Sequence, residues 1–301
     1  MAPRPHILVV NGRKVRQPVF VIGAPHSGTD LLARALKGSP GIHLTIGVPS
    51  VLTVARAFAR SPSIKRGREA TATVLRDAFA QAWQVSPHGC LACSPACREA
   101  GGVNGAGTCI VERDIRRYGD ATPDLMYCAE GLVDAFPDAR LVQIVRDGRD
   151  VVAGMLADDD LLRWFKPGVA NADSEFPNPF LGIETEADQA AWPGLSVAGK
   201  CAMRWRGSVR AAARLRSSMP AETLTTLRYE EVIRRPAVAA RAVSGFIGTD
   251  VAPIAVRARG RGPLGSAAIA AGGWRRRLSA QQVTDVEQVA GTDLRRVGYG
   301  A

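Results

Sequence analysis

The chain has 301 residues, with 39 Lys and Arg against 28 Asp and Glu and a formal net charge of +11. Its 46% of hydrophobic residues is typical of a globular protein that buries a full core. No apolar stretch approaches the ~20 residues that cross a bilayer, and residues 1–16 lack a signal peptide's apolar core, so we expect a cytoplasmic protein with no membrane partner. The positive charge suits an acidic ligand. Because the arginines are not interleaved with aromatic residues, we expect no nucleic-acid partner.

The first predicted elements lead to a loop of distinctive composition. Residues 9–12, Val-Val-Asn-Gly, contain a hairpin turn signal. Residues 18–22 are an apolar run that predicts a buried strand, 23–29 predict a tight loop and 29–37 a helix. Such a loop directs backbone N–H groups and the positive end of a helix dipole at one point. The stretch therefore predicts an anion site, most simply for phosphate.

The spacing in this loop is close to that of the nucleotide-triphosphate P-loop. Gly23 and Gly28 occupy its two glycine positions. Thr29 stands where a lysine reaches the terminal phosphates, and Asp30 stands where a hydroxyl holds magnesium. These two residues argue against a metal-assisted ATPase or kinase.

The next segments predict a strand at 42–46 and two helices, at 49–59 and 69–83, which flank an exposed basic linker at 60–68. Four of the six cysteines follow within twenty residues of one another. They are Cys90, Cys93, Cys97 and Cys109, with His88 just before them. Four thiolates arranged tetrahedrally would suit a structural zinc ion in an insertion, about 86–110, that lacks apolar residues of its own. Only one C-x2-C pair is present, so free thiols or a disulfide remain equal alternatives.

The middle of the chain predicts the fold class. Residues 112–118 are charged, 123–136 have the apolar spacing of an amphipathic helix, and 140–145 predict a second buried strand. A strand, a long connection with a helix and another strand form a right-handed parallel crossover. We therefore expect an α/β fold, a P-loop-like parallel sheet with helices on both faces.

The remaining chain predicts further helices and one long insertion. Residues 149–156, 197–218 and 236–247 predict helices, and 224–227 a strand. Residues 157–195 have little periodicity, which is typical of a lid or a disordered insertion. Five aromatic residues favour a lid over a surface loop packed on the body: Trp164, Phe165, Phe176, Phe180 and Trp192. Ser279 and Gln282 predict a capping box on a last helix.

Several motifs resemble those of sulfotransferases that use 3′-phosphoadenylyl sulfate (PAPS). Residues 25–29, Pro-His-Ser-Gly-Thr, are similar to this family's 5′-phosphosulfate loop, P-x-x-S-G-T. Residues 146–150, Arg-Asp-Gly-Arg-Asp, are similar to the segment that holds the cofactor's 3′-phosphate. Weaker matches follow in the family's order at 119–123, Trp205, 227–230 and 273–275. The resemblance extends from about residue 18 to Tyr299 and implies one sulfotransferase-like domain over residues 1–301.

The resemblance also implies an activity and a set of binding residues. The activity is transfer of a sulfuryl group to a hydroxyl or amine of a small-molecule acceptor. The implied cofactor-binding residues are Gly23, Ala24, Pro25, His26, Ser27, Gly28, Thr29, Arg146, Tyr229, Trp274 and Arg275. The guanidinium of Arg146 has the right shape to pair with the 3′-phosphate through two hydrogen bonds.

Four positions depart from the family pattern. His26 replaces the usual lysine or arginine beside the leaving oxygen, and an imidazole supplies that charge only when protonated. Asp30 adds a negative charge and is expected to point away from the ligand. Gly154 stands where a serine usually reaches the 3′-phosphate, and Ala121 replaces the lysine of G-D-K-T-P.

The catalytic residues predicted from the sequence are His26 and a carboxylate that acts as the acceptor base. The candidates for the base are Glu112 and Asp114, with His43 and His88 as lesser alternatives. A non-catalytic nucleotide-binding relative is the competing function, and a transferase with another phosphorylated donor is a third. A homodimer is left open.

Overall fold

The computed structural model describes residues 7–61, 67–86, 89–90, 93–103, 107–169, 175–256 and 270–300. Strands β1 (Val9–Val10) and β2 (Arg13–Lys14) pair as the predicted hairpin. Asn11 and Gly12 form its turn with φ angles of 50° and 68°. Positive φ at both turn residues matches the right-handed twist of the strands, which is why Asn-Gly predicts this hairpin.

A five-stranded parallel sheet forms the centre of the described structure. The remaining strands are β3 (Val19–Ile22), β4 (Ile42–Thr45), the antiparallel pair β5 (Val85–Ser86) and β6 (Gly89–Cys90), β7 (Arg117–Asp120), β8 (Arg140–Val145) and β9 (Leu224–Arg228). The sheet order is β4-β7-β3-β8-β9, with Val19 opposite Gly119 on one side and Arg140 on the other. Because every pairing in this sheet is parallel, the residues that follow its strands meet at one edge.

Helices cover both faces of this sheet. They are α1 (Thr29–Lys37), α2 (Pro49–Arg60), α3 (Arg68–Ala82), α4 (Pro95–Ala100), α5 (Ala129–Ala135), α6 (Gly148–Met155), α7 (Asp159–Leu162), α8 (Glu186–Ala191), α9 (Val197–Ser218), α10 (Tyr229–Arg234), α11 (Pro236–Ile247), α12 (Trp274–Arg277) and α13 (Ala280–Arg296). Short 3-10 turns span Glu112–Asp114, Leu125–Cys128, Arg163–Phe165 and Trp192–Gly194. The predicted α/β fold class is confirmed.

The alternation of side chains along β3 divides the core into two layers. Phe20 and Ile22 pack with the buried faces of α2, α3 and α5, whereas Val19 and Val21 pack with those of α1, α10 and α11. A strand buried on both faces needs apolar residues at every position, and all four residues of β3 are buried. A third cluster joins α6, α9 and α13 around Trp205.

The helix predicted over 123–136 is shorter in the structure. It is divided into the 3-10 turn Leu125–Cys128 and α5. Asp124 has a φ of 71°, which an α-helix does not accept. Its carboxylate binds Arg204 and Arg56, so a tertiary ion pair outweighs the local helix pattern. The capping box of Ser279 and Gln282 is present as predicted.

Residues 175–195 pack against the body of the protein. Phe180, Leu181, Ile183 and Trp192 are buried in one cluster. This part of the predicted insertion therefore matches the alternative of a surface loop packed on the body. Residues 62–66 of the predicted linker and 170–174 of the insertion lie outside the described residues. A search of the described helices for one long and apolar enough to cross a membrane finds none.

Candidate active site

The predicted anion loop, residues 23–28, lies between the end of β3 and the start of α1. Gly28 has a φ of 96°, and a Cβ atom there would lie 2.4 Å from the ring of Tyr229. A Cβ on Gly23 would lie 2.7 Å from the carbonyl oxygen of Ile144. Only glycine meets both the backbone and the packing requirement at Gly28. The loop is thus held tightly against the end of β8 and the start of α10.

Arg146 directly follows β8, beside this loop. Its side chain is 6% exposed, and its guanidinium carbon lies 4.2 Å from the centroid of the Tyr229 ring. One Nη donates to the carbonyl of His26 at 3.3 Å, and the other donates to the carbonyl of Ala270 at 3.3 Å. The carboxylate of Asp150 lies 3.9 Å away. These contacts place a fixed positive charge next to the anion loop.

The C-terminal segment is attached to the same motif. Asp150 accepts hydrogen bonds from the backbone N–H groups of Gly272 and Trp274, each at 2.7 Å. The indole N–H of Trp205 donates to the carbonyl of Arg146 at 3.1 Å. Two of the motifs quoted from the sequence, at Trp205 and at 273–275, are therefore brought to the third at 146–150. Because these segments are far apart in the sequence, the sequence alone does not indicate that they are in contact.

Arg149 has a different role from Arg146. Its guanidinium donates to both oxygens of Asp147 and to the carbonyl of Tyr299 at 2.9 Å, and it stacks 4.3 Å from the ring of Trp274. Arg275 lies 4.5 Å from the same ring. Arg149 therefore ties the motif to the C-terminal residues, and Trp274 and Arg275 lie beside it.

His26 directs its ring toward α6 and the start of α7. Its φ is 63°, and its Nε2 lies 2.9 Å from Oδ2 of Asp158. Burial lowers the pKa of His26 below 6.5, and the neighbouring Asp158 opposes that shift only in part. A Cβ on Gly154 would lie 2.8 Å from Cβ and Cγ of His26. Two departures from the family pattern, His26 and Gly154, are thus in direct contact.

A cavity of about 360 Å³ opens beside the loop. Its floor includes residues 21–26 and Thr29, and its walls include Asp158, Trp164 and Arg204. Buried Arg204 is paired with buried Asp124. The ring of Trp164 contacts two guanidinium groups, with its centroid 5.0 Å from that of Arg56 and 4.9 Å from that of Arg60. The cavity therefore has a mixed lining, in which charged side chains alternate with apolar residues such as Leu125, Met126 and Leu161.

The structure does not bring Glu112 and Asp114 to this cavity. Both are exposed in the 3-10 turn that precedes β7, whereas the anion loop follows β3. Since β3 and β7 are parallel, the two carboxylates lie toward the opposite edge of the sheet from the loop. Glu112 instead lines a separate cavity with Asn11 and Arg13.

The other predicted residues are accounted for as follows. His43 is buried inside β4, where burial lowers its pKa to about 3. His88 lies outside the described residues. Asp30 is exposed, and its carboxylate lies 3.7 Å from the guanidinium of Arg34, one turn further along α1. Ala121 is buried at the end of β7.

The sequence interpretation did not place Asp124, Asp158 or Arg204 at the site, although all three line the cavity. Asp158 belongs to the run Asp158-Asp159-Asp160, a charge pattern that is typical of a solvent-exposed surface. Arg204 lies in the basic helix predicted over 197–218, and an arginine in such a helix is seldom buried. A local signal for Asp158 does exist, since an aspartate directly before a short helix is a typical N-cap.

The cysteine cluster, Cys90, Cys93, Cys97 and Cys109, lies at the other end of α1. The sulfur atoms of Cys90, Cys93 and Cys109 all lie within 4.8 Å of one another, and those of Cys93 and Cys109 are 3.6 Å apart. Cys97 is not part of that group of three, and the neighbouring thiol of Cys109 together with burial raises the pKa of Cys97. All six cysteines are described, and all are free thiols, so the disulfide alternative is not observed.

Lys37, the last residue of α1, reaches this cluster. Its ammonium group donates to Sγ of Cys97 at 3.0 Å and to the carbonyl of Leu44 at 2.8 Å. The residue is buried, with 7% of its surface exposed. A buried ammonium normally requires a negative partner, and the sulfur of Cys97 meets that requirement only as a thiolate.

Comparison with known structures supports the fold. The sulfotransferase domain of the Synechococcus PCC 7002 olefin synthase aligns over 93% of this chain and 98% of its own, with a TM-score of 0.50 at 16% identity. A sulfotransferase from Alicyclobacillus acidocaldarius covers 92% and 96%, with a TM-score of 0.43 at 19% identity. A mouse sulfotransferase complexed with PAP covers 97% and 88%, with a TM-score of 0.42 at 13% identity.

No curated protein matches the chain. The model of the sulfotransferase family matches residues 18–172. The matched region contains the anion loop, the cysteine cluster, Arg146 and Asp158. Because it spans slightly more than half of the sequence, the chain belongs to the sulfotransferase family.

Proposed function

We propose that this chain transfers a sulfuryl group from PAPS to a hydroxyl or amine of a small-molecule acceptor. The observation that carries the proposal is the pair of anion-binding features at neighbouring strand ends. The glycine loop follows β3 and Arg146 follows β8, the strand hydrogen-bonded to it. A donor with anionic groups at both ends of a ribose requires two such features side by side.

The residues present fit that donor. A Cβ on Gly28 would collide with the ring of Tyr229, so glycine keeps the loop against that ring and at the N-terminus of α1, where its N–H groups would donate to a phosphate. Arg146 would hold the 3′-phosphate, and Tyr229 and Trp274 would lie beside the nucleotide. When bound, PAPS supplies an activated sulfuryl group, and adenosine 3′,5′-bisphosphate (PAP) is the product that remains.

The protein's contribution is position and charge. The N–H groups of the loop and the hydroxyls of Ser27 and Thr29 would donate to the 5′-phosphosulfate as negative charge grows on the leaving phosphate. His26 would add a positive charge when protonated. The cavity of about 360 Å³ beside the loop is the proposed acceptor site, and its size suits a small molecule.

A non-catalytic nucleotide-binding relative is the second candidate function. The observation that favours it is the buried His26, whose pKa is lowered where the family usually has a permanent cation. Such a relative would bind PAP with the same loop and Arg146 but would turn over PAPS slowly or not at all.

Two measurements separate these functions. Calorimetric titration with PAP tests the nucleotide site, and release of radiolabel from PAPS in the presence of hydroxyl or amine acceptors tests transfer. Binding with turnover supports the sulfotransferase, and binding without turnover supports the relative. A chain that binds neither PAP nor PAPS would contradict both and favour another phosphorylated donor.

We also propose that the cysteine cluster holds a structural zinc ion. Tetrahedral zinc with ~2.3 Å bonds to sulfur places its ligands about 3.8 Å apart, close to the 3.6 Å between Cys93 and Cys109. A zinc ion with four thiolates carries a net negative charge, which the ammonium of Lys37 would offset from beside Cys97. The ion would hold together the segment between β6 and β7.

A further inference from the structure

His26 and Asp158 form a hydrogen-bonded pair in the wall of the proposed acceptor cavity. Their side chains are 13% and 34% exposed, and Nε2 and Oδ2 are 2.9 Å apart. The other oxygen of Asp158 accepts the N–H of Leu161 at 3.0 Å, as the N-cap of α7. The carboxylate is thus oriented by the backbone of α7, independently of the charge on His26.

The surroundings of the ring are otherwise unfavourable to a positive charge. Arg146 and Arg204 face the ring, and both lower the pKa of His26. Three nearby carboxylates are paired with arginines: Asp150 of α6 with Arg146, Asp124 with Arg204 and Arg56, and Asp160 of α7 with Arg163. Asp159 of α7 is exposed. Among the described residues, Asp158 is therefore the carboxylate that contacts the imidazole and favours its protonation.

Gly154 leaves the second ring nitrogen of His26 uncovered. Nε2 is committed to Asp158, which leaves Nδ1 as the second donor of a protonated ring. A Cβ on Gly154 would lie 3.0 Å from Nδ1, so any larger residue would cover that side. Glycine in place of the family's usual serine at position 154 therefore leaves Nδ1 uncovered. A lysine in place of His26 has no ring nitrogen at this position and would not require a glycine there.

We propose that Asp158 is a positioning residue that enables His26 to take up a proton when the nucleotide binds, so that binding and proton uptake are coupled. The inference rests on the proposed function, because it requires the nucleotide's phosphates to lie at the loop. In the free protein, burial and the two arginines favour the neutral ring. Bound phosphates add negative charge beside it, and Asp158 already accepts from Nε2, so the imidazolium gains a partner on each side.

Calorimetry of PAP binding in buffers of different ionisation enthalpy measures this coupling. At pH ~7 we expect net uptake of roughly half a proton or more per PAP bound by the native protein. In His26→Lys the lysine is charged both with and without PAP. The proton uptake of this variant therefore gives the baseline, which is the number of protons exchanged by PAP and by groups other than His26. Asp158→Asn preserves the helix cap but removes the charge, so its uptake should fall to that baseline.

Asp160→Asn is the matched control, because it removes a negative charge from the same short helix without contact to His26. Its proton uptake should equal that of the native protein. Equal uptake in the native, His26→Lys and Asp158→Asn proteins would overturn the inference while leaving the proposed function intact. Failure of the native protein to bind PAP would instead refute the proposed function, and with it the coupling.

A titration of the free protein tests the pair without any nucleotide. The imidazole resonances of His26, assigned by their loss in His26→Lys, should titrate about one unit lower in Asp158→Asn than in native protein, the effect of one charge-assisted hydrogen bond. Asp160→Asn should leave the titration unchanged. An unchanged His26 titration in Asp158→Asn would contradict the role assigned to Asp158.

Discussion

At the scale of single residues, the site depends on a contact between His26 and Gly154. A left-handed backbone at His26 directs its ring over α6, into the space that a side chain at Gly154 would take. Considered alone, His26 lacks the cation and Gly154 lacks the serine hydroxyl that the family usually has at these positions. Together they replace a long flexible cation with a buried ring that Asp158 holds in place.

The charge on His26 gives a prediction for the pH dependence of transfer. If only the imidazolium stabilises the leaving phosphate, activity is full below the pKa of His26 in the complex and falls as pH rises through it. Burial lowers the pKa of His26 in the free protein and bound phosphates raise it, so we expect the fall at a higher pH than the titration of His26 in the free protein. His26→Lys should move the fall to higher pH, and His26→Ala should lose on the order of 10²-fold in turnover.

The measurement is the initial rate of PAPS turnover between pH 5 and pH 10 under saturating substrate. The control is a circular dichroism melt of each variant across the same range. Near-normal turnover of His26→Ala with an unchanged profile would show that the loop amides, Ser27 and Thr29 suffice.

The contact between Gly154 and His26 also predicts a stability effect. Gly154→Ser should destabilise the native protein by about 1–3 kcal/mol, the usual cost of overpacking. In a His26→Gly background the same substitution should cost much less, because the ring is gone and glycine accepts the positive φ. Urea unfolding of the four proteins of this cycle gives the coupling energy, and additive costs would refute the contact.

At the scale of elements, the parallel order of β3 and β8 brings the loop and Arg146 together. Arg146 is 120 residues from His26 in sequence and donates to its carbonyl. The contact follows from the register that pairs Val19 through Ile22 with Arg140 through Gln143. Asp150, four residues later on α6, then holds the segment at Trp274.

Arg146→Ala should weaken PAP binding by about tenfold or more, because a charge-assisted hydrogen bond contributes roughly 1.5–3 kcal/mol. Calorimetric titration with PAP measures the loss. Arg234→Ala is the matched control, since that exposed arginine of α10 contacts Glu231 within its own helix. An Arg146→Ala protein with the dissociation constant of the control would refute the assignment of the 3′-phosphate site.

At the scale of the whole molecule, α1 joins the two candidate sites. Its first residue, Thr29, belongs to the predicted anion site, and its last, Lys37, contacts Cys97. The cysteine cluster therefore supports the helix that carries the loop, although it lies outside the cavity. A metal bound there would stabilise the fold and take no part in transfer.

Protein purified without chelator should contain about one zinc per chain. Cys93→Ser should lose most of that zinc and melt at a lower temperature, because metal binding adds to folding stability. Mass spectrometry of the metal content and thermal melts are the measurements. Cys128→Ser, at a buried thiol of the core, should lower the melting temperature yet retain the zinc. Metal-free native protein with four freely reactive cluster thiols would refute the site.

The sequence by itself determined the parallel fold and the positions of the glycine loop after β3 and of Arg146 after β8. These features are local, since an apolar run, glycines at fixed spacing and an arginine at a strand end each act through their immediate neighbours. The bounds of α1, β8 and α9 agree with the predicted ranges 29–37, 140–145 and 197–218 for the same reason.

Only the tertiary structure decided which carboxylates lie at the cavity. The sequence offers Glu112 and Asp114 as candidates for the acceptor base, but they precede a parallel strand and so lie away from the edge where the loop opens. Asp158 reaches the ring because α6 ends beside the loop and the chain then turns into α7. Which side chains line a cavity depends on the packing of distant segments, and no local pattern in the sequence records that packing.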